Sequence, residues 1–163
     1  VVGASRGIGK CVADSFESAG AFVYRVSSIN CDISKKEQID KYVGSLDKVD
    51  ILVNVAAINY TKKIENISLE EWDEVISVNL RGLFYFTKKV LDLMPNGSKI
   101  VNVSSIAGRR KSLVSGVHYV SSKAGLIGLT RQLSSELGER NININVLSIR
   151  FLFRKFIKDF RII

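Results

Sequence analysis

Short apolar segments alternate with segments of helical periodicity along nearly the whole chain, and this alternation most constrains the fold. Five apolar segments have the aliphatic content of strands, and they lie at residues 1–2, 22–26, 51–55, 99–103 and 142–147. Between them, apolar residues recur every three or four positions, which is the spacing of one helix face. Strands that alternate with helices form parallel sheets through right-handed crossovers. We therefore predict an α/β fold with a doubly wound parallel sheet.

Capping signals place the starts of two predicted helices. Ser34 with Glu37 and Ser68 with Glu71 have the spacing of a capping box, in which the two side chains satisfy otherwise unpaired backbone N–H groups. Helices are therefore predicted to follow both serines. The second should run over residues 69–93 as the central packing helix.

Composition and charge narrow the classes of function. The longest apolar stretches fall far short of the ~20 residues that cross a bilayer, so no membrane span is expected. Cys11 and Cys31 are too few for a disulfide scaffold and favour reduced thiols in the cytoplasm, while an organellar location stays open because the sequence opens at Val1. Half of the net charge of +8 lies in the last fourteen residues, so nucleic-acid binding is not expected. No metal ligands are predicted.

A glycine-rich turn follows the first predicted strand. Gly3, Gly7 and Gly9 lie between the end of that strand and an amphipathic helix. In this position glycines let backbone N–H groups approach a pyrophosphate, and the positive end of the helix dipole attracts it. Glycines also occur in ordinary strand-to-helix turns, so the turn predicts a dinucleotide site only together with other motifs.

Tyr119 and Lys123 are four residues apart on a helix that is predicted to begin near Tyr119. Residues at this spacing project from the same face, so the ammonium group can approach the phenol. A cation about 4 Å away at an effective dielectric of about 20 is worth up to ~4 kcal/mol, which would lower the tyrosine pKa toward neutrality. The phenol could then exchange protons with a substrate. The same spacing is also common on surface helices.

Several motifs follow one another in a fixed order along the chain. After the glycine turn come Asn54 at a strand end, Asn79 in VNLRG, SSIAG after a strand, and YVSSK. In this order the sequence resembles the short-chain dehydrogenase/reductase family. The phrases ILVN, KIVNVSSIAG and YVSSKAGLIGLTRQLSSELGERNININVLS are most similar to 3-oxoacyl-[acyl-carrier-protein] reductases and related carbonyl reductases. The resemblance implies a Rossmann-like catalytic domain over residues 1–148, incomplete at both ends, and a divergent tail over residues 149–163.

The resemblance also implies a catalytic tetrad, which matches Asn79, Ser105, Tyr119 and Lys123. Tyr119 would give its proton to a carbonyl oxygen that Ser105 hydrogen-bonds. Lys123 would lower the Tyr119 pKa and hold the nicotinamide ribose, and Asn79 would position a water molecule. The residues implied to bind the cofactor are Gly3, Ser5, Arg6, Gly7, Ile8, Gly9, Asp32, Ile33, Asn54, Ala56, Tyr119 and Lys123.

Two residues next to the tetrad have competing interpretations. Ser104 and Ser105 point to opposite faces of a strand, so only one can reach the site, and the match to the SIAG motif favours Ser105. His118 is the sole histidine. We interpret it as a loop neighbour of Tyr119 without acid or base duty, because the tyrosine already supplies the proton.

The end of the second strand favours NADP over NAD as the cofactor. Ser27 and Ser28 stand where an acidic residue would bind the ribose 2′-hydroxyl and repel a 2′-phosphate. Arg6 adds a cation in the glycine turn, where it is alternatively a plain surface charge.

The resemblance further implies substrates and partners. The expected substrate is a small-molecule or acyl-carrier-bound carbonyl compound, such as a 3-oxoacyl thioester of fatty acid biosynthesis, which hydride transfer reduces to an alcohol. Arg109, Arg110 and Lys111 either contact a phosphate-bearing acyl carrier or form a solvated loop. Family members pair through the helices represented here by residues 69–93 and 119–137, so a homo-oligomer is expected.

The sequence departs from the family pattern in its first half. It opens at the end of the first strand, and only residues 29–31 separate Ser28 from Asp32, which is too few for a crossover helix. Either the edge strand is lost or a stretch is missing there. NVAA at residues 54–57 also replaces the family's NNAG, which adds bulk near the cofactor.

The tail at residues 149–163 departs furthest from the family. Its apolar residues would form a helical stripe opposite its basic residues, as in a helix that binds a membrane surface. A shifted reading frame or read-through is the favoured alternative. The tail and the missing strands support a second hypothesis, that the chain is a catalytically impaired, cofactor-binding remnant of the same fold.

Overall fold

A parallel sheet forms the centre of the fold. The computed structural model describes residues 1–150 of the chain. The three-stranded sheet has the order β1-β2-β3, where β1 is Ile51–Asn54, β2 is Lys99–Ser105 and β3 is Asn143–Ile149. Both pairs of neighbouring strands are parallel. The predicted doubly wound α/β fold is confirmed.

Two further segments extend the sheet by single bridges. Val2 pairs parallel with both Asn54 and Val26, so the segments lie side by side in the order Val26, Val2, β1, β2 and β3. Val26 therefore lies on one side of Val2 and β1 lies on the other, so the connections after Val2 run in opposite directions across the sheet. In an open α/β sheet, ligands bind outside the carboxyl ends of the strands at such a switch point. Here that point lies between Val2 and Asn54.

Helices connect these segments at the predicted places. Five α-helices are described: α1, Gly7–Ser18; α2, Lys36–Val43; α3, Leu69–Ile76; α4, Leu83–Val90; and α5, Val117–Glu136. Short 3₁₀ turns occupy Ile64–Asn66, Leu91–Leu93, Ile106–Gly108 and Gly138–Arg140.

The helix predicted over residues 69–93 is helical throughout but changes its winding in the middle. A π-helical segment, Ser77–Gly82, joins α3 to α4, and the 3₁₀ turn Leu91–Leu93 follows α4. π turns inside α-helices are often found at functional sites. This one contains Asn79, which the resemblance assigns to the catalytic tetrad.

One of the two predicted capping boxes is wrong and the other is half formed. Ser68 accepts a hydrogen bond from the Glu71 N–H at 3.2 Å and caps α3. Ser34 instead lies before the cap of α2, and its hydroxyl donates to the Asp32 carboxylate at 2.7 Å. Asp32 also accepts from the Ser34 N–H, which makes a local turn that competes with helix capping.

The strand predicted at residues 22–26 is wrong except at its last residue. Val26 alone makes a bridge, and the Phe22 side chain is 83% exposed. The physical reason is that the neighbouring segment in the sheet, at residues 1–2, pairs with this one only through Val2. The segment before Val26 forms no further bridge to the first strand, and its contact there is the Val1 amine, which donates to the Tyr24 carbonyl at 2.8 Å.

Residues 27–31 form a tight turn where the resemblance implies a crossover helix. The Cys31 N–H donates to the Ser27 carbonyl at 2.8 Å. Asn30 closes the turn, because its Oδ1 accepts from the Ser27 N–H and its Nδ2 donates to the Arg25 carbonyl. The prediction that no helix fits in this junction is confirmed.

The core lies between the sheet and the helices. It includes Val2, Ile39, Leu52, Leu83, Phe86, Ile100, Leu126 and Ile144, all buried. Burial of one such side chain contributes roughly 2–3 kcal/mol, so this layer fixes the sheet and thereby the strand ends. In residues 1–150, no helix has the length and apolar character needed to span a membrane. The two interpretations of the tail fall beyond residue 150 and so lie outside the described residues.

Candidate active site

A cavity of about 600 Å³ opens outside the carboxyl ends of the strands, at the switch point of the sheet. The glycine turn borders it on one side, and the loop after β1 and the start of α5 border it on the other. The lining residues are Gly3, Ser5, Arg6, Gly7, Ile8, Gly9, Ser28, Ile29, Asp32, Ile33, Ser34, Val55, Ala56, Ala57, Ile58, Glu74, Val78, Val103, Ser104, Tyr119, Lys123 and Ile149.

The glycine turn has a backbone that only glycines fit. Gly3 has a φ of +94°, and a Cβ there would lie 2.6 Å from the Ala56 nitrogen. A Cβ on Gly9 would lie 2.0 Å from the Gly3 carbonyl oxygen. The turn leads into α1, whose cap residue Arg6 makes no side-chain capping bond and whose first turn holds no acidic residue. Its first N–H groups and the helix dipole can therefore interact with an anion.

The Lys123 ammonium lies at the inner end of the cavity. The side chain is 98% buried, and Nζ donates to the Val103 carbonyl at 2.9 Å. Nζ also lies 5.8 Å from the centre of the Tyr119 ring. Burial lowers the pKa of Lys123 to about 8, because the charged form loses its hydration.

The pKa of Tyr119 differs from the sequence-based expectation. Burial raises it above its usual value of 10, and a hydrogen bond with the Ser105 side chain opposes that rise only in part. We predicted that Lys123 would lower this pKa. The ammonium group instead binds the Val103 carbonyl and lies beside the ring, so the expected lowering is not found in this structure.

The two serines at the end of β2 have different surroundings. The Ser104 hydroxyl is buried and donates to the Lys123 carbonyl at 2.9 Å, which ties β2 to α5. The Ser105 hydroxyl accepts from the Ala107 N–H at 3.1 Å, and the Ser105 side chain acts to lower the pKa of Tyr119. This interaction with Tyr119 supports the interpretation that Ser105, rather than Ser104, takes part in the site.

Substitutions of these serines should separate their roles. Ser105→Ala removes the hydroxyl that contacts Tyr119, and we expect kcat for carbonyl reduction to fall by about 100-fold. Ser104→Ala removes one buried hydrogen bond, and we expect the free energy of unfolding to fall by about 1 kcal/mol with little change in kcat. Steady-state kinetics and urea unfolding of both variants test this. A larger kcat loss in Ser104→Ala would reverse the assignment.

Asn79 holds three parts of the site together. Its amide exchanges hydrogen bonds with the Ile58 backbone, accepting from N–H and donating to C=O at 2.8 Å each, and it donates to the Ser122 hydroxyl at 3.1 Å. The Ser122 hydroxyl in turn donates to the Tyr119 carbonyl. The fully buried Asn79 therefore joins the π segment, the loop after β1 and α5. The water-positioning role stays a prediction.

Eleven of the twelve predicted cofactor residues line the cavity, and Asn54 does not. Asn54 is fully buried within the sheet, where its Nδ2 donates to the Thr87 hydroxyl at 3.0 Å and to the Asn102 Oδ1 at 2.8 Å. Asn102 continues the chain of hydrogen bonds to Thr130. Asn54 therefore does not border the cavity, because this side chain points along the sheet, and the role of the segment of Asn54 and Ala56 near the adenine ribose stays a prediction.

Some lining residues were not predicted from the sequence. Ile58 follows Ala57 in the loop after β1, and Val78 precedes Asn79 in the π segment, with Glu74 one turn earlier. Their positions next to predicted residues are the signal that could have found them. Ala57 replaces a family glycine but does not have a positive φ, so its backbone conformation suits an L-residue.

The buried Lys123 should make stability depend on pH in a defined window. Its pKa is about 8 in the folded chain and 10.5 without burial, so the folded state loses this proton first as pH rises. The free energy of unfolding should therefore increase between pH 8 and 10.5, by at most about 3 kcal/mol, and the burial penalty is fully present below pH 8. Urea unfolding of the wild type and Lys123→Met across this range measures it. Parallel pH curves for the two proteins would contradict the prediction.

Known proteins with similar sequences and structures are oxidoreductases. The family model described as short chain dehydrogenase matches residues 24–151. A 3-oxoacyl-[acyl-carrier-protein] reductase from Aquifex aeolicus is 33% identical over 93% of this chain and 72% of its own length. An NAD-dependent glycerol dehydrogenase from Listeria innocua is 34% identical over 91% of this chain and 67% of its own length. The solved angucycline C-6 ketoreductase LanV with bound NADP has a TM-score of 0.78 at 27% identity, covering 91% of this chain and 70% of its own.

The chain is shorter than these relatives, both overall and within the matched region. It spans 57% of one solved relative and 78% of another. The match to the Aquifex aeolicus reductase extends over 180 residues, whereas this chain has 163, so that relative holds residues within the match that this chain lacks. The tight turn at residues 27–31 agrees with such a shortening. By its family-model match and by relatives above 30% identity, the chain belongs to the short-chain dehydrogenase family.

Proposed function

We propose that this chain carries the catalytic site of an NADP-dependent oxidoreductase, which reduces a carbonyl group to an alcohol by hydride transfer. The observation that carries the proposal is the arrangement at the inner end of the cavity. Ser105 is close enough to oppose the burial-induced rise of the Tyr119 pKa, and buried Lys123 lies beside the phenol ring. Tyr119 and Lys123 line the cavity, while Ser105 does not line it but directly follows Ser104, which does, at the end of β2.

The described residues suit a dinucleotide. The glycine turn and the uncapped start of α1 can bind a pyrophosphate, and the cavity runs from there to Tyr119 and Lys123. A nicotinamide cofactor, when bound, supplies the hydride.

The side chains would then handle the proton and the developing charge. The pKa of Tyr119 is raised, so the phenol is protonated at neutral pH and can donate its proton to a carbonyl oxygen. The Ser105 hydroxyl donates a hydrogen bond to the same oxygen. Burial lowers the pKa of Lys123 to about 8, and its ammonium group lies 5.8 Å from the centre of the Tyr119 ring, where it could hold the nicotinamide ribose.

NADP is the proposed cofactor because of the residues at the ribose end of the cavity. Ser28 and Arg6 line it, and neither carries a negative charge that would repel a 2′-phosphate. Asp32 also lines the cavity, and its carboxylate accepts two hydrogen bonds from Ser34. The Listeria innocua relative is NAD-dependent, so binding of NADPH and NADH should be compared directly.

A 3-oxoacyl thioester is the proposed substrate. The support is the similarity to a 3-oxoacyl-[acyl-carrier-protein] reductase. The three exposed cations Arg109, Arg110 and Lys111, which follow the 3₁₀ turn after Ser105, could meet a phosphate-bearing carrier. The test is NADPH oxidation by the purified chain with a 3-oxoacyl thioester, measured as the loss of NADPH absorbance. Oxidation that depends on the substrate supports the proposal, and its absence at high substrate and enzyme concentrations contradicts it. A role in fatty acid biosynthesis, a homo-oligomeric state and a cytoplasmic location stay predictions.

A cofactor-binding protein without turnover is the second candidate. The observations that favour it are the tight turn at residues 27–31 and the bond from Lys123 to the Val103 backbone. Fluorescence titration with NADPH distinguishes the two. Tight binding without oxidation of NADPH on any ketone tested favours the second candidate, and robust turnover eliminates it.

A further inference from the structure

The start of α5 is capped by a side chain from inside the helix. The cap residue Gly116 has no side chain, so the first N–H groups of α5 need another acceptor. His118 supplies one, because its Nδ1 accepts the N–H of Tyr119 at 2.7 Å. The imidazole is fully buried, although it follows an exposed loop. The backbone N–H of Tyr119 is thus hydrogen-bonded to the imidazole of the preceding residue, His118.

The second ring nitrogen reaches a different helix. Nε2 of His118 lies 3.2 Å from Oε1 of Glu71, in the first turn of α3. Since Nδ1 accepts a hydrogen bond, the ring proton must be on Nε2, which therefore donates to Glu71. Glu71 is itself held by an ion pair with Lys62. One neutral tautomer thus links the start of α5 to the start of α3.

The ring is also confined from the other side. A Cβ on Gly116 would lie 2.5 Å from Cε1 and 3.0 Å from Nδ1 of His118, so the imidazole packs directly on the cap residue. The Gly116 N–H donates to the Tyr60 carbonyl at 2.8 Å, and the Tyr60 ring is 6.0 Å from the imidazole. The ring has little room to turn, which fixes the direction of both hydrogen bonds.

We propose that His118 is a positioning residue for Tyr119: its Nδ1 sets the first turn of α5, and its bond to Glu71 holds that turn against α3. His118 does not touch the reacting atoms in this scheme and acts only through Tyr119. This inference rests on the proposed function for its kinetic consequence. The hydrogen-bond link itself can be tested without turnover.

The link is tested by ¹⁵N NMR, since the chain has a single histidine. The wild type should show an unprotonated Nδ1 and a protonated Nε2. Glu71→Ala should weaken that preference and speed hydrogen exchange of the Tyr119 amide by about tenfold or more. Glu70→Ala is the matched control, because Glu70 also lies in the first turn of α3 but is exposed, and the hydrogen bond to His118 comes from Glu71. A protonated Nδ1 in the wild type, or equal behaviour of the two variants, overturns the inference.

The kinetic test compares two replacements of the ring. His118→Phe keeps bulk but loses both hydrogen bonds, and a shift of Tyr119 by about 1 Å should lower kcat by about 100-fold. NADPH binding should change little. His118→Asn places an oxygen where Nδ1 was and should recover most of the loss. In a Tyr119→Phe background, His118→Phe should cause no further loss, because it acts through the phenol. Equal losses in the Phe and Asn variants, or additivity with Tyr119→Phe, overturn the inference.

A glycine pair covers the case in which His118→Phe does not fold. Gly116→Ala leaves the histidine in place but pushes its ring, so kcat should fall, whereas Gly128→Ala in the same helix meets no atom within 4 Å and should leave kcat unchanged. Equal kcat values in the two variants overturn the inference. An inactive wild type overturns the proposed function instead, and the NMR experiment then decides on His118 by itself.

Discussion

Tyr119→Phe is expected to lower kcat for carbonyl reduction by about a thousandfold, within the range of a lost general acid. The substitution removes the one hydroxyl that is hydrogen-bonded to Ser105 and borders the cavity beside Lys123. The ring remains, so packing at the start of α5 should be preserved. Stopped-flow or steady-state oxidation of NADPH with a 3-oxoacyl thioester measures the effect. Equal rates in wild type and variant would show that the phenol is not the proton donor.

The control for this substitution is another tyrosine that loses a hydroxyl far from the cavity. Tyr85 on α4 donates to Asp40 at 2.7 Å and does not line the cavity. Tyr85→Phe should keep kcat close to that of the wild type. The affinity of Tyr119→Phe for NADPH should also stay within about threefold, because the lost hydroxyl acts on the substrate oxygen rather than on binding. A parallel loss of binding would mean that Tyr119 holds the cofactor more than it serves the chemistry.

The parts of the site that could be predicted from sequence are those that the backbone determines. The glycine turn follows from steric limits, since Gly3 and Gly9 lie where no Cβ fits. Tyr119 and Lys123 share a helix face because of helical periodicity alone. The parallel sheet follows from the alternation of elements, and it places these groups at one edge.

The parts that could not be predicted depend on which of several neighbouring groups a polar side chain hydrogen-bonds. Asn54 turns into the sheet toward Asn102 and Thr87, and no spacing rule reveals that choice. Lys123 binds the Val103 carbonyl, so it does not lower the Tyr119 pKa as the helix spacing suggested. Ser34 similarly bonds Asp32 rather than capping α2.

His118 shows the same limit most clearly. From sequence it is a loop neighbour of Tyr119 without acid or base duty. The structure keeps it out of the cavity lining, but buries it and gives both ring nitrogens partners. The partner Glu71 is 47 residues away, in a helix whose packing against α5 is a tertiary feature.

Gly9→Ala is expected to have the largest effect on stability. A Cβ on this residue would lie 2.0 Å from the carbonyl oxygen of Gly3, which is backbone and cannot turn aside as a side chain would. Gly3 is itself fixed, since its N–H donates to the Val26 carbonyl at 2.8 Å and its α-carbon lies against Ala56. The overlap must therefore move the turn or α1, at a cost of about 3 kcal/mol or more. Affinity for NADPH should fall with it, because the same turn borders the pyrophosphate end of the cavity.

Gly128→Ala provides a control of opposite sign for this prediction. Gly128 is inside α5, and a Cβ there meets no atom within 4 Å. Replacing glycine by alanine in a helix interior should raise the free energy of unfolding by up to about 1 kcal/mol. Urea unfolding of both variants, with NADPH titration of the folded fraction, gives the comparison. If both alanines change stability in the same direction and by similar amounts, contact with Gly3 does not determine the turn. The effect of alanine at position 9 would then reflect helix propensity alone, and the turn would no longer be the rigid backbone feature on which the proposed dinucleotide site depends.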